Sequence, residues 1–320
     1  LNKWGIAVKQ NQTFKGFLFL KGEVSGKVYV ALQNVDGTKE YAVQEIDGIT
    51  SDWKKYTFEL TSNTEDVNSR LAVYIKEPGQ FRIDMVNMMS SEEDQFHGAP
   101  FRKDIAEAMV EQKLTFLRYA GTMIECDGYR FKSMIGPRED RPVYNGRFYG
   151  YASHGFGIED FLNYCELSGF EPVFAVNSFE TAEDMAFMIK YLKGDVSTPE
   201  GKMRADNGHP EPYHLTYIEI GNEEVLGGDN ADQYMDYVRR FTDIYQAIHS
   251  IDPTIKFISS AWWRPESEDN MRDVFECLDG MADYWDYHPW ADSDELGGHV
   301  EREMKQMQEM FLKWNPNTTM

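Results

Sequence analysis

The chain has 320 residues, 42% of them hydrophobic and 27% charged, which suits one large domain and a smaller one. Its 54 Asp and Glu against 32 Lys and Arg leave a net charge of −22, which disfavours nucleic-acid phosphates and anionic membrane surfaces but not a neutral polymer. The three cysteines (Cys126, Cys165, Cys277) imply no disulfide framework or metal site, no run suits a membrane-spanning helix, and no signal peptide is visible.

Residues 1–92 read as all-β. The runs 14–20, 28–32, 53–60, 71–75 and 81–86 are β-rich and are separated by Gly-, Asp- and Asn-containing turns, the spacing of a sandwich. Trp53 is read either as core or as a glycan contact. The acidic stretch Ser90-Ser91-Glu92-Glu93-Asp94 is the expected boundary. From residue 93 to 320 the pattern alternates between strand and helix. Strands are predicted over 115–119, 172–177, 217–221, 256–260 and 284–288, and helices over 103–112, 158–168, 182–193, 231–250, 269–278 and 300–314. Thr181 with Asp184 reads as a capping box. In 231–250, Tyr234, Val238, Phe241, Tyr245 and Ile248 share a face, and Met304, Met307 and Met310 read as a core stripe. Two long connections, 120–156 and 194–214, read as loops. Strict βα alternation predicts a parallel sheet with helical crossovers.

The segment Tyr217-Ile218-Glu219-Ile220-Gly221-Asn222-Glu223-Glu224 concentrates the chemistry. A Glu at the end of a parallel strand is aimed where α/β barrels react. With Asn222 beside it, Glu223 suits a general acid/base and hence glycoside hydrolysis, although a strand-end surface Glu is the plain alternative. Glu219 is expected to pair with a buried cation, and Glu224 to support the site or face solvent. Arg118 and His288 lie at strand ends, where a salt bridge or a packed histidine is the alternative to function. Asn177 ends another strand and is expected to reach the cleft. Trp262, Trp263 and Trp290 follow strand ends and offer sugar-stacking rings, with at least one of the three expected in the core. Tyr144, Phe148, Tyr149 and Tyr151 line the cleft or order their own loop. The histidines show no paired spacing, so neither metal nor cofactor is expected.

Six stretches in order resemble glycoside hydrolase family 51, the α-L-arabinofuranosidases. They are Leu117-Arg118-Tyr119-Ala120-Gly121, Ile135-Gly136-Pro137-Arg138-Glu139-Asp140-Arg141-Pro142, Phe156-Gly157-Ile158-Glu159-Asp160-Phe161, Glu171–Asn177, Arg204–Tyr213 and Tyr217–Glu223. The resemblance implies a (β/α)8 TIM barrel, of which strands 2–6 fall in this chain, preceded by a carbohydrate-binding-module-like jelly-roll sandwich over 1–92. It implies a retaining mechanism. Glu223 takes the acid/base position, Asn222 the position that holds a sugar hydroxyl, and Arg118 the position that contacts the nucleophile. His288, Tyr119, Asn177, Trp262 and Trp290 are expected at the substrate.

Two departures qualify this expectation. Gly121-Thr122-Met123 stands where the family carries a hydrogen-bonding residue third, and Trp290 stands where Tyr is common. Both point toward an endo-β-1,4-glucanase on the same scaffold. The nucleophile Glu is expected on a strand after Met320, and the first strand before Leu1. The expected partners are therefore a polysaccharide or oligosaccharide and the remainder of the same enzyme, with a non-catalytic carbohydrate-binding fragment as the alternative of another class. Polysaccharide degraders work outside the cytoplasm, so an extracellular or periplasmic location is expected.

Overall fold

A computed structural model describes residues 5–263, 267–288 and 296–316, with the side chains of the last stretch described from Gly298. Two compact units divide the chain, Leu1–Lys113 and Leu114–Met320.

The first unit contains β1 (Ile6–Val8), β2 (Thr13–Val24), β3 (Val28–Gln33), β4 (Glu40–Ile46), β5 (Lys54–Thr61), β6 (Asp66–Ile75) and β7 (Gly79–Ser90). These make two antiparallel sheets, ordered β1-β6-β3-β4 and β5-β2-β7. Alternation decides which residues face inward. Along β5, Tyr56, Phe58 and Leu60 are buried while their neighbours are exposed. Leu18 and Leu20 from β2 and Val28, Val30 and Leu32 from β3 join them in one core. Each fully buried Leu or Val contributes about 1.5–3 kcal/mol. Trp53 precedes β5 and stays exposed, with the Lys21 ammonium 4.9 Å from its ring centroid, so it is not core. Beyond the acidic stretch, β8 (Gln95–Phe96), β9 (Ala99–Arg102) and α1 (Lys103–Glu111) belong to the same unit.

The second unit runs β10 (Phe116–Tyr119), β11 (Val143–Tyr144), β12 (Ala152–Ser153), α2 (Ile158–Ser168), β13 (Glu171–Val176), α3 (Ala182–Lys193), α4 (Pro199–Asp206), β14 (Tyr217–Glu224), α5 (Ala231–His249), β15 (Lys256–Ala261), α6 (Glu268–Cys277), β16 (Tyr284–Trp285) and α7 (Leu296–Trp314). Strands β10-β13-β14-β15-β16 form one parallel sheet in chain order. Their carboxyl ends therefore share one edge, and the site is built there.

Three expectations need correction. The connection 194–214 is not all loop: Thr198 Oγ1 accepts the Gly201 amide at 3.1 Å and Pro199 occupies the first turn, so α4 forms there. On α5 the buried stripe is Tyr234, Tyr237, Phe241, Ile244 and Ile248, with Val238 and Tyr245 only half-buried. Tyr237 turns inward because its hydroxyl donates to Ile220 O at 2.9 Å and accepts the Ser260 amide at 3.0 Å. On α7, Met307 and Met310 are buried but Met304 is 47% exposed, so the stripe is Met307, Met310 and Phe311. The expected capping of α3 holds, since Thr181 Oγ1 accepts the Asp184 amide at 3.0 Å.

Two of the motifs brace the scaffold. Asp160 accepts Arg141 Nη1 at 2.8 Å and Arg138 Nη2, and its second role is to accept the Gly157 amide at 2.8 Å at the start of α2. The connection 120–156 is thereby pinned to α2. Arg204 is fully buried and donates to the carbonyl oxygens of Tyr191, Leu192, Gly194, His209 and Pro210. Removing that guanidinium leaves several buried carbonyls unsatisfied, each costing about 1–3 kcal/mol. R204M should therefore lower the unfolding free energy by roughly 3 kcal/mol or more, read as a reduced urea midpoint at unchanged slope.

Candidate active site

The edge where the strands end departs from regular geometry. Gly221, Glu223 and Val225 have φ of +86°, +51° and +69°, and the pairing of β14 with β15 shifts between Ile220 and Glu224. Ala120 and Gly121, just past β10, have φ of +132° and +150°. Positive φ at a non-glycine residue costs about 1–3 kcal/mol, and such strain clusters where side chains are held for a task. At Gly221 a Cβ would meet the Glu224 carboxylate at 2.4 Å, so glycine is required there twice over. This irregular turn lets residues of unlike strand parity reach one point.

That point is the Arg118 guanidinium. Its Nε and Nη2 donate to Glu219 Oε2 at 2.5 Å and Oε1 at 2.7 Å, and Nη2 also donates to Asn222 Oδ1 at 2.9 Å. Glu219 is 1% exposed and Asn222 2% exposed. The sheet register shows how the contact is possible. Arg118 pairs with Val173, and Glu219 with Ala175, so the two side chains leave the same face of the sheet on either side of β13. Glu219 thus has the cation expected for it, although Arg118 is half-buried rather than buried.

A chain of charged contacts continues from there. Asp286 Oδ2 lies 3.5 Å from Arg118 Nη2 and 2.6 Å from His288 Nε2, and His288 Nδ1 lies 2.9 Å from Glu223 Oε1. Both ring nitrogens face carboxylates, so the geometry favours the doubly protonated imidazolium. The hydrogen bond to Asp286, reinforced by Glu223, pushes the His288 pKa up to about 9 against the opposing effect of burial. Burial pushes Glu219 up to about 7, opposed by Arg118 and assisted by the neighbouring Asp286. Burial acts upward on Asp286 too, but hydrogen bonds from His288 and Glu219 outweigh it and hold this carboxyl below its usual range. The neighbouring Asp286 thus favours the protonated form of Glu219, while Glu219 helps to keep Asp286 ionised.

Glu223, Asp286, His288, Trp262 and Trp263 line a cavity of about 240 Å³ together with Ser260, Ala261, Tyr287, His299 and Glu303. Trp262 meets His288 edge-on at 6.4 Å, whereas Trp263 is buried against Phe311 and is the core member of the tryptophans. Trp290 lies outside the described residues. Asn177 is not free for a ligand: its amide donates to Cys126 O at 3.1 Å, and its oxygen accepts the Phe179 amide at 2.8 Å. Tyr119 donates to Phe156 O at 2.8 Å and stacks on Phe161. Glu224 is tied to Ser178 at 2.6 Å and to Arg240 at 3.1 Å rather than left in solvent. In the long connection Tyr144 stacks on His154, while Phe148, Tyr149 and Tyr151 are exposed. Asp286 escaped the sequence reading, although its place two residues before His288 at a strand end was a usable signal. Among the described residues no group of three or more His, Cys, Asp or Glu side chains is disposed to hold a metal ion, and no helix is long and apolar enough to cross a membrane.

A parallel sheet whose carboxyl edge gathers an Asn-Glu pair, an arginine and a histidine defines a class of α/β proteins with a polar cleft at the strand ends. Comparison with known proteins places it further. The family described as "Alpha-L-arabinofuranosidase 1 domain" matches residues 108–309. Alpha-L-arabinofuranosidase 2 of Arabidopsis thaliana is 29% identical over 315 residues, spanning 92% of this chain and 44% of that protein. A probable alpha-L-arabinofuranosidase A of Aspergillus terreus is 28% identical over 321 residues, spanning 92% and 49%. Among solved structures, the arabinose-bound MgGH51 α-L-arabinofuranosidase superposes with a TM-score of 0.72 at 23% identity, over 93% of this chain and 55% of that one. The arabinose complex of the Thermotoga maritima α-L-arabinofuranosidase gives 0.58 at 27% identity, over 67% and 45%. The chain belongs to the α-L-arabinofuranosidase family, glycoside hydrolase family 51. It spans about half the length of these relatives.

The shifted groups set the stability profile. His288 has a folded pKa of about 9 against 6.5 ordinarily, so its contribution is fully present below 6.5 and is lost as pH rises through 9. Glu219, raised from 4.5 to about 7, makes stability decline as pH rises across that interval. Urea midpoints measured between pH 4.5 and 9 should therefore fall with pH. H288Q should flatten the upper part of that fall and E219Q the lower part.

Proposed function

We propose that this protein is a retaining glycoside hydrolase acting on plant cell-wall polysaccharide, with α-L-arabinofuranosidase activity as its first expectation. The observation that carries the reading is Glu223: a strained strand end presents it to the cavity, beside a buried Asn222 that Arg118 holds in place. In this reading Glu223 protonates the leaving oxygen and later activates water. Asn222 has one amide oxygen committed to Arg118, leaving its NH2 to hold a sugar hydroxyl next to the scissile bond. His288 orients Glu223, and Trp262 supplies a wall for the sugar. The five parallel strands correspond to strands 2–6 of a (β/α)8 barrel. The attacking carboxylate belongs on a following strand, ~5–5.5 Å from Glu223 as retention of configuration requires. Residues 1–92 act as a carbohydrate-binding-module-like sandwich. Family relatives are α-L-arabinofuranosidases by name, and one from Streptomyces chartreusis, 26% identical over 80% of this chain, is described as extracellular, which supports work outside the cell.

The second reading, an endo-β-1,4-glucanase, is favoured by Met123. It sits in the turn Thr122–Glu125 beside Gly146 and has no hydrogen-bonding group for an arabinose hydroxyl. The products decide between them. Incubated with arabinan, the protein should release arabinose; oligosaccharides from a soluble β-1,4-glucan would establish the glucanase instead. E223Q should keep its circular dichroism spectrum and lose about 10²–10⁴-fold in kcat/KM on substrates with poor leaving groups, with a much smaller loss on activated aryl glycosides. Unchanged turnover in that variant would sink the whole assignment.

A further inference from the structure

We propose that Asp286 is a positioning residue, braced from behind by Glu219 and Arg118, that makes His288 the proton reservoir of Glu223. The inference rests on Glu223 being the acid/base. Its own support is the path Glu219–Arg118–Asp286–His288–Glu223. The distances along it are 2.5 Å for Glu219–Arg118, 3.5 Å for Arg118–Asp286, 2.6 Å for Asp286–His288 and 2.9 Å for His288–Glu223.

The path poses a chemical problem. An acid must carry its proton on oxygen, yet His288 presents Nδ1 to Glu223 as a donor. Two arrangements of one proton satisfy the same contacts. In the first, the imidazolium donates Nδ1–H to the Glu223 carboxylate. In the second, the proton has crossed to Glu223 Oε1, and neutral His288 accepts at Nδ1 while still donating Nε2–H to Asp286. Neutralising the pair becomes favourable when a substrate displaces water from the cavity, because isolated charges are costly in a dry site. In the second arrangement Glu223 releases its proton to the glycosidic oxygen as the bond to carbon breaks, leaving neutral His288 and ionised Glu223. When water later attacks, Glu223 takes a proton from it and the pair regains its first state. No proton or charge is created or lost over the cycle.

Asp286 sets how firmly His288 holds that proton. The charged and titratable groups around His288 are Glu223 and Glu219 on β14, Asp286 after β16, Arg118 on β10, and Tyr287, His299 and Glu303 along the cavity. The α7 pair is self-satisfied, with His299 Nε2 at 3.1 Å from Glu303. Glu125, past β10, faces Glu223 electrostatically but is paired with Arg147. Among the described residues only Asp286 bonds the far nitrogen.

The test follows the His288 ring by NMR through a pH titration, assigned by the resonance missing in H288Q, alongside pH–rate profiles. In D286N the His288 midpoint should fall by about one to two pH units, since the neighbouring anion that favours the charged ring is gone. The alkaline limb of kcat should move down by the same amount, with KM little changed. E219Q, which retains the volume of the side chain and frees Arg118 to turn toward Asp286, should shift both in the same direction by less, and it decides the matter if D286N does not fold. An unmoved His288 midpoint in the folded variant, or an activity loss equal at all pH values, overturns the proposal. Loss of activity in E223Q with no His288 shift in D286N removes this inference alone. Unchanged activity in E223Q removes the acid/base reading as well.

Discussion

A guanidinium reaching across the sheet to a buried carboxylate governs the arrangement of the strand ends. Arg118 starts on β10 and ends on β14, two strands away, roughly 9–10 Å by ordinary strand spacing. By the strand register Arg118, Val173, Ala175 and Glu219 all lie on one face of the sheet. The pair is bidentate and largely withdrawn from water. Such a pair adds little net stability compared with apolar packing, but breaking one half of it costs about 3–5 kcal/mol. Its value is therefore positional: it fixes where the end of β14 sits relative to β10, and Asn222 is fixed with it.

The backbone at that edge is strained for a related reason. A regular strand sends alternate residues to opposite faces, so Glu219, Asn222 and Glu223 could not all serve one site. The left-handed Gly221 and Glu223, with the shifted pairing to β15, break the alternation and bring both parities to the same side. The strain is borne by the packing beneath. Tyr237 ties α5 to Ile220 O and to the Ser260 amide, directly below the bend. The loop-rich segment between β10 and α2 is held likewise by Arg138 and Arg141 on Asp160. Stability is thus concentrated under the site.

The sequence was readable wherever local chemistry and periodicity agreed. Among the described residues, all five parallel strands and six of the seven α-helices could be placed, because apolar strand runs and capped amphipathic helices announce themselves. Helix α4 was lost in a polar segment whose sole clear signals were Thr198 and Pro199. The α5 stripe was misjudged because both sets of five positions follow helical spacing, and the contacts of the Tyr237 hydroxyl with Ile220 O and the Ser260 amide that select the observed one lie on strands β14 and β15. At the site, Arg118, Asn222, Glu223 and His288 do converge. Asn177 instead donates to backbone carbonyls of the connection 120–156, a contact to residues some fifty positions earlier that no local pattern carries. The coupling of Glu219, Asp286 and Arg118 also depends on the sheet register.

The charge arithmetic of the cluster gives its chemistry a direction. Arg118 and His288 bring two positive charges, and Glu219, Asp286 and Glu223 bring three carboxyl groups. Burial favours the protonated form of Glu219, and one proton there makes the free set neutral. Adding one more ionised carboxylate, as the proposed retaining mechanism demands, makes the completed site anionic by one. That is the sign that stabilises an oxocarbenium-like transition state. It also disfavours an anionic sugar ring at the same position. Under the proposed function, that charge suits a neutral glycan better than a uronic acid.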